Sequence, residues 1–486
     1  MSMIPPALRI PNRRNAELFL LVFAVLIVVA AEAAVESAQY GRFSGRLITY
    51  AAVPIGVGIV THLVIRKVAP YADPLLLPIA VLLNGLGLVM IHRLDPALKA
   101  QAASVGESYS NAAPPQVLWT AIGVALFVAL IVLIRDHRVL QRYAYTLALI
   151  GLVLLLLPTV LPARFSEVNG ARIWIRVAGF SIQPGEFAKI LLTIFGAAYL
   201  VAKRDVLSLA GRRIGFSLGS RFVGFDLPRG RDFGPLLVAW GICIAVLIRG
   251  RDLGTSLLFF GLFILLVYVT TERISWVILG LLLFALGAYL SYKLFGTVQT
   301  RVSVWLHLFQ TATPPPDPQV CSNPAYVHCA DGYQLRQSLF GFGTGGIFGT
   351  GLGNGHPEFV PLPANDFIIT SFGEETGLFG VIAILVLYAL FVGRGMAAAL
   401  AVRDAFGKLL AIGLSFLIAL QVFVVVAGVT RLLPETGLTS PFLSFGGSSL
   451  VGSWILLAIL LRVSDAARRP ATTPPPRAND RQAVPA

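Results

Sequence analysis

AFGKLLAIGLSFLIALQVFVVVAGV, residues 405 to 429, holds a single charged residue, Lys408. A helix of about 20 apolar residues spans a hydrocarbon core of roughly 30 Å, so this stretch reads as a membrane-crossing helix. Working outward, comparable runs lie at approximately 17 to 34, 48 to 65, 72 to 91, 117 to 134, 143 to 162, 186 to 202, 235 to 248, 251 to 271, 275 to 295, 366 to 393 and 445 to 464, about twelve in all. Composition agrees: 56% of the 486 residues are hydrophobic and 13% charged, against about 25% charged in a water-soluble domain, and the mean hydropathy is +0.79. The expected fold class is an all-α polytopic integral membrane protein of about twelve transmembrane helices with a large extracytoplasmic loop. The first run lacks a small-residue cleavage pattern and is followed by another span, so it reads as a retained helix and not a signal peptide.

A net charge of +14 raises nucleic acid as a partner, but in a membrane protein Lys and Arg report orientation because they are held in the cytoplasm. With the N-terminus inside, the inside also receives Arg66 and Lys67, then Arg135, Arg138 and Arg142, then the loop with Lys203, Arg204, Arg212, Arg213, Arg221, Arg229 and Arg231. Arg394, Arg403, Lys408, Arg468, Arg469, Arg477 and Arg481 fall on the same side. The chain therefore divides into a cytoplasmic tail at 1–15, a multi-span membrane domain at 16–465 and a cytoplasmic tail at 466–486. Within the domain lie a basic cytoplasmic loop at 203–234 and an extracytoplasmic loop at 297–365. The last tail is rich in Pro, Ala, Thr and Arg and cannot bury enough apolar surface to fold. The expected location is the bacterial plasma membrane with both termini cytoplasmic.

Several cations break the bias and fall on the outer side: Arg172, Arg176, Lys189, Arg249, Arg251, Arg301, Arg336 and Arg431. Charge at membrane depth is costly and faces a cavity, a partner charge or a functional path, so the set suggests an outward pocket for an anion such as a lipid diphosphate. Snorkelling to phospholipid headgroups is the alternative. Glu186 and Lys189, three apart, share one helix face, and the pocket reading is favoured for Lys189. Asp252, next to Arg251, either orients such a pocket or makes a simple ion pair. Asp366, Glu374 and Glu375 precede or enter an apolar run, where they serve a functional site, pair with these cations or cap a helix start.

The 297–365 loop ends in a segment with glycines at 341, 343, 345, 346, 349, 351, 353 and 355. These permit close backbone approach or re-entrant turns lining a cavity. No Walker lysine follows, so the segment is not a nucleotide-binding loop. His307, His328 and His356 lack the i, i+4 pairing of a helical metal site and read as solvated loop residues. Cys321 and Cys329 both lie in the outer loop, where oxidising conditions allow a disulfide.

Five stretches occur in order: NGARIWIRVAGFSIQPGEFAKI at 169 to 190, RDLGTSLL at 251 to 258, GYQLRQSLFGFGTGGIFGTGLGNG at 332 to 355, NDFIITSFGEETG at 365 to 377 and TRLLPETGLTSPFLSFGGSSL at 430 to 450. On these the chain resembles the shape, elongation, division and sporulation family, the peptidoglycan glycosyltransferases that include RodA and FtsW. LLNGLGLVMIHRLDP at 82 to 96 and two additional N-terminal spans resemble its actinobacterial RodA-like members, which favours elongation over division. The family reads QPSE where this chain has QPGE at 183 to 186.

The resemblance implies that the substrate is lipid II, a disaccharide-peptide on undecaprenyl diphosphate, and that a class B penicillin-binding protein is the partner. It also implies a catalytic loop aspartate in an Asp-Pro pair shortly before GYQ. An insertion here offers Asp317, which keeps the Pro, and Asp331, which lies nearer Gly332; Asp317 ranks first. Such a carboxylate fits a general base removing a proton from the attacking sugar hydroxyl. The diphosphate leaving group calls for positive charge, for which Lys189, Arg172, Arg176 and Arg251 are candidates. Glu186, Asp252, Gln334 of the GYQ motif, Asp366, Glu374 and Glu375 complete the expected substrate-binding set. A divalent cation, Mg2+ or Mn2+, fits hard oxygen ligands; a nucleotide is unnecessary because the diphosphate bond supplies the activation. Two rivals remain, a lipid II flippase built on a charged central cavity and a non-enzymatic scaffold for the penicillin-binding protein.

Overall fold

The computed structural model describes residues 13–42, 45–104, 106–168, 171–177, 180–204, 212–218, 221–227, 241, 253–309 and 332–470. Its helices in chain order are α1 Arg14–Tyr40, α2 Gly45–Val68, α3 Leu76–Ser104, α4 Ala113–Leu133, α5 Arg138–Arg142, α6 Ala144–Val160, α7 Ala163–Ser166, α8 Gly185–Ala202, α9 Leu253–Thr271, α10 Ile274–Leu294, α11 Gly296–His307, α12 Tyr333–Gly345, α13 Ile368–Ala401, α14 Ala405–Val429 and α15 Gly447–Arg468. Among the described residues ten helices are long and apolar enough to cross a membrane. The 143 to 162 run forms the shorter α6, and the 235 to 248 run lies outside the described residues apart from Gly241. In the 203–234 loop the described backbone is an antiparallel pair, Arg212–Leu218 with Arg221–Leu227.

Helices are forced on these runs because lipid offers the backbone no hydrogen-bond partner. Polar caps set some boundaries. Asp404 accepts the Gly407 amide at 2.7 Å and starts α14, while Asp95 on α3 accepts the amides of Ala112 and Ala113 at 2.7 and 2.9 Å, where α4 begins. Burial sorts the layers: 94% of the most apolar stretch of α3 is buried and 83% of that of α15, against 6% for α10. α3 and α15 therefore occupy the centre, α15 packs on α4, and α10 presents nearly its whole surface outward. At the centre, Trp454 is fully buried and meets Phe127 and Phe442 edge-on at ring separations of 5.6 and 5.8 Å.

One end of the bundle gathers the start of α1, the α2–α3 connection, the latter part of α13 and the end of α15. Arg14 donates to the Ala72 carbonyl, the Tyr71 amide donates to Asp465 at 2.9 Å and the Asp73 amide to Ser464 at 2.9 Å. Asp73, fully buried, accepts from Arg394 at 2.8 Å and from Arg468. Burial pushes the Asp73 carboxyl up, but the Arg394 hydrogen bond, the Leu75 amide and Arg468 outweigh it and hold its pKa below the ordinary value. The first and last described helices thus share this end; the opposite, far end carries the motifs of the sequence.

Candidate active site

At the far end the helix α13 is interrupted at Gly377, whose φ of +66 and ψ of −168 are not helical. An interruption at membrane depth frees amides and carbonyls that must find partners, and the glycine-rich segment supplies them. The Leu378 amide donates to the Gly346 carbonyl at 2.9 Å and the Phe379 amide to Ile347 at 3.2 Å. Conversely, the carbonyls of Glu374 and Glu375 accept from the amides of Thr350 at 3.0 Å and Gly351 at 2.9 Å. Side chains have no room in this pairing. A Cβ on Gly349, at φ +80, would stand 2.2 Å from the Glu375 carbonyl oxygen, and one on Gly377 would stand 2.3 Å from the Gly349 nitrogen.

The same pairing fixes two carboxylates. Glu374 Oε1 accepts the His356 amide at 2.7 Å, and Glu375 Oε2 accepts the Gly353 amide at 3.0 Å. Arg93 from α3 closes the group, donating through Nε to Glu375, through Nη2 to the Gly355 carbonyl and through Nη1 to Glu358 at 3.0 Å. Arg93, Glu374 and Glu375 are all buried. Desolvated charges of this kind hold only when fully paired, so the cluster locks the glycine-rich segment against α3 and α13.

A second polar group joins α8 to α14. Lys189 Nζ donates to Glu186 Oε2 at 2.5 Å and to Gln421 Oε1 at 2.8 Å, and Gln421 Nε2 donates to the Thr439 carbonyl at 2.7 Å. Glu186 and Lys189 are 3% and 5% exposed, so the pair looks inward and does not snorkel. The Gln183 amide donates to Ser448 Oγ at 2.8 Å, which ties the start of α8 to the start of α15.

Other expected residues fall elsewhere. Arg172 and Arg176 sit on two short hairpins, Glu167–Val168 with Ala171–Arg172 and Ile175–Val177 with Phe180–Ile182. Both are exposed, and Arg172 donates to Glu167 at 3.0 Å. Gln334 and Asp366 are half-buried, on α12 and just before α13. Three of the cations expected on the outer side bind backbone carbonyls: Arg301 to Glu435 at 3.3 Å, Arg336 to Leu308 at 3.1 Å, and Arg431 to Trp305 at 2.9 Å. Asp317, Asp331, Arg251, Asp252, Cys321 and Cys329 lie outside the described residues.

Sequence reasoning passed over Arg93, Glu358, Gln421 and Glu435. Glu435, in the TRLLPETG stretch, is half-buried; burial pushes its carboxyl up and Arg301 opposes this. An arginine inside the LLNGLGLVMIHRLDP stretch was the available signal for Arg93.

A family model described as "Cell cycle protein", that of FtsW, RodA and SpoVE, matches residues 74–469. "Peptidoglycan glycosyltransferase RodA" of Mycobacterium tuberculosis is 50% identical over 475 residues, covering 98% of this chain and 95% of that protein. "Probable peptidoglycan glycosyltransferase FtsW" of Geobacter metallireducens is 34% identical, covering 81% and 94%. A solved chain described as "Structural coordination of polymerization and crosslinking by a peptidoglycan synthase complex" has the same fold. Its TM-score is 0.60 at 23% identity, covering 82% of this chain and 99% of that one.

Proposed function

Because the chain belongs to the family of FtsW, RodA and stage V sporulation protein E, we propose that it polymerises lipid II into glycan strands at the outer leaflet during cell elongation. It is an enzyme, a peptidoglycan glycosyltransferase, and the observation that carries this is its near-full-length identity to curated proteins bearing that activity in their name. The far end faces outward, and both termini are cytoplasmic.

In the proposed reaction Asp317, or failing it Asp331, takes the proton from a sugar hydroxyl of one glycan-bearing molecule as that oxygen attacks the anomeric carbon of another. The carbon–oxygen bond to the diphosphate breaks, and undecaprenyl diphosphate leaves with the bonding electrons. A positioned carboxylate base contributes about 10²- to 10⁴-fold in rate. Positive charge stabilises the departing anion: Lys189 is already held in place by Glu186 and Gln421, and Arg172, Arg176 and Arg251 are the further candidates. The lipid tails enter sideways from the bilayer, which is why the enzyme is built from apolar helices.

A Mg2+ or Mn2+ ion is part of this proposal. Glu374 and Glu375 are engaged by backbone amides and Glu375 also by Arg93, so the diphosphate and the loop aspartate that does not act as the base would hold it. The partner is a class B penicillin-binding protein, in keeping with the synthase complex that shares the fold. The Arg93 cluster is a positioning scaffold for the loops.

Vesicles carrying the purified chain, with and without that partner, and fluorescent lipid II separate the readings. Polymer is the expected product. Translocation of lipid II without polymer, or partner binding with neither activity, overturns the proposal in favour of a flippase or a scaffold.

A further inference from the structure

We propose that Glu32, Glu36 and His92 form a buried site for one transition-metal dication, with zinc the expected occupant, that clamps α1 to α3. Glu32 and Glu36 are four apart and so share a face of α1; His92 projects to them from α3. One ligand atom from each residue lies within 4.8 Å of the other two. The three side chains are nearly sealed from solvent, at 1%, 0% and 5% exposure.

Within this cluster His92 and one oxygen of Glu32 form a close pair, and the other Glu32 oxygen is left over. His92 Nδ1 lies 2.7 Å from Glu32 Oε1, yet neither atom makes a hydrogen bond, and Glu32 Oε2 also lacks one. Buried polar atoms are costly unless satisfied, and a carboxylate on an apolar helix face, as Glu32 is, is more costly still. A cation at their convergence gives every one of these atoms a partner. The adjacent Arg93 is not that cation, because its guanidinium is turned to Glu375, Glu358 and the Gly355 carbonyl.

The donor set selects the class of ion. Imidazole with carboxylate suits zinc and its first-row neighbours, whereas magnesium and calcium prefer oxygen alone. Ligands at about 2.0–2.2 Å from a tetrahedral ion stand roughly 3.4 Å apart, so loading opens the Glu32–His92 contact by about 0.7 Å and leaves the cluster otherwise in place. The Tyr50 ring lies over the His92 ring, with 4.0 Å between centroids, and fixes its orientation.

The site has a clear mechanical consequence. α1 lies before the family-matched residues 74–469, and the ion would tie it to the helix that carries Arg93 one residue further on. The glycine-rich segment rests on the same part of α1: a Cβ on Gly353 would meet Ala38 at 2.8 Å. The inference stands on these residues alone and does not depend on the polymerase reading.

The test is the metal content of the full chain, without a histidine tag, in lipid nanodiscs. The protein is stripped with chelator, exposed to zinc chloride and passed through gel filtration. About one zinc per wild-type chain is expected, with a fall of about tenfold or more in both Glu32→Gln and His92→Asn. A wild-type chain that retains no zinc above background, or variants that retain as much as wild type, overturns the proposal. If the variants fail to fold, zinc-edge X-ray absorption of the wild type decides: imidazole and carboxylate scattering supports the site, and a first shell without imidazole rejects it.

Discussion

Arg93 on α3 donates through Nε to Glu375 on α13, a pair separated by 282 positions in sequence and almost completely buried. The contact brings the centre of the bundle to the interrupted helix. Replacing Arg93 with Met leaves the Glu375 charge without its partner in a desolvated place, which costs about 3–5 kcal/mol. Denaturant unfolding in detergent should show that loss, and Arg93→Met combined with Glu375→Gln should recover part of it. Equal destabilisation in the single and double variants would contradict the pairing.

Gly349 and Gly377 tolerate no side chain, since both have positive φ and their Cβ atoms would collide with backbone. Gly349→Ala is expected to cost about 1–3 kcal/mol from backbone strain alone, with the clash added. Gly343→Ala is the control: a Cβ there meets nothing within 4 Å and the residue is helical, so its stability should be unchanged or rise by up to about 1 kcal/mol. Melting temperatures of the two variants check the contrast.

Lys189 is held by Glu186 and Gln421, so its position depends on both. Lys189→Met should lower the polymerisation rate by about tenfold or more if it stabilises the departing diphosphate. A double-mutant cycle of Lys189→Met with Glu186→Gln should give a coupling energy of about 0.5–3 kcal/mol in stability. A cycle closing at zero would mean that the two side chains do not act together.

Much of this was legible from hydropathy. Runs such as 405 to 429 are long and apolar enough to admit only one structure in lipid, and the glycines at 345 and 349 announced a close approach that Gly373 to Gly377 then received. Arg93 was hidden by length: one bilayer crossing from residue 72 ends near 91, whereas α3 runs on to Ser104 and keeps Arg93 helical and buried. Glu32, Glu36 and His92 were hidden because their convergence is a property of two packed helices and neither sequence segment shows it alone. The insertion before GYQ splits two marks of the motif between two aspartates: Asp317 keeps the following Pro, and Asp331 keeps the nearness to Gly332.

Asp73 gives the pH dependence. Its folded pKa is depressed from 3.8, so it contributes stability above the unfolded carboxylate pKa, and that contribution disappears as pH falls through the lower folded value. Asp73→Asn should therefore be less stable than wild type at pH 7, by about 2 kcal/mol given the partly exposed arginines. The gap should close as pH falls below that carboxylate range. Unfolding curves of both proteins across the acid range check it; a constant gap would contradict it.

The most direct measurement is the rate of glycan formation from fluorescent lipid II by the purified chain with a class B penicillin-binding protein, compared with Asp317→Ala and Asp331→Ala. A fall of about 10²- to 10⁴-fold for Asp317→Ala, with lipid II still bound and the fold intact, is the expected result. Undiminished polymer from Asp317→Ala would contradict that aspartate as the base, and no polymer from the wild type would contradict the activity itself.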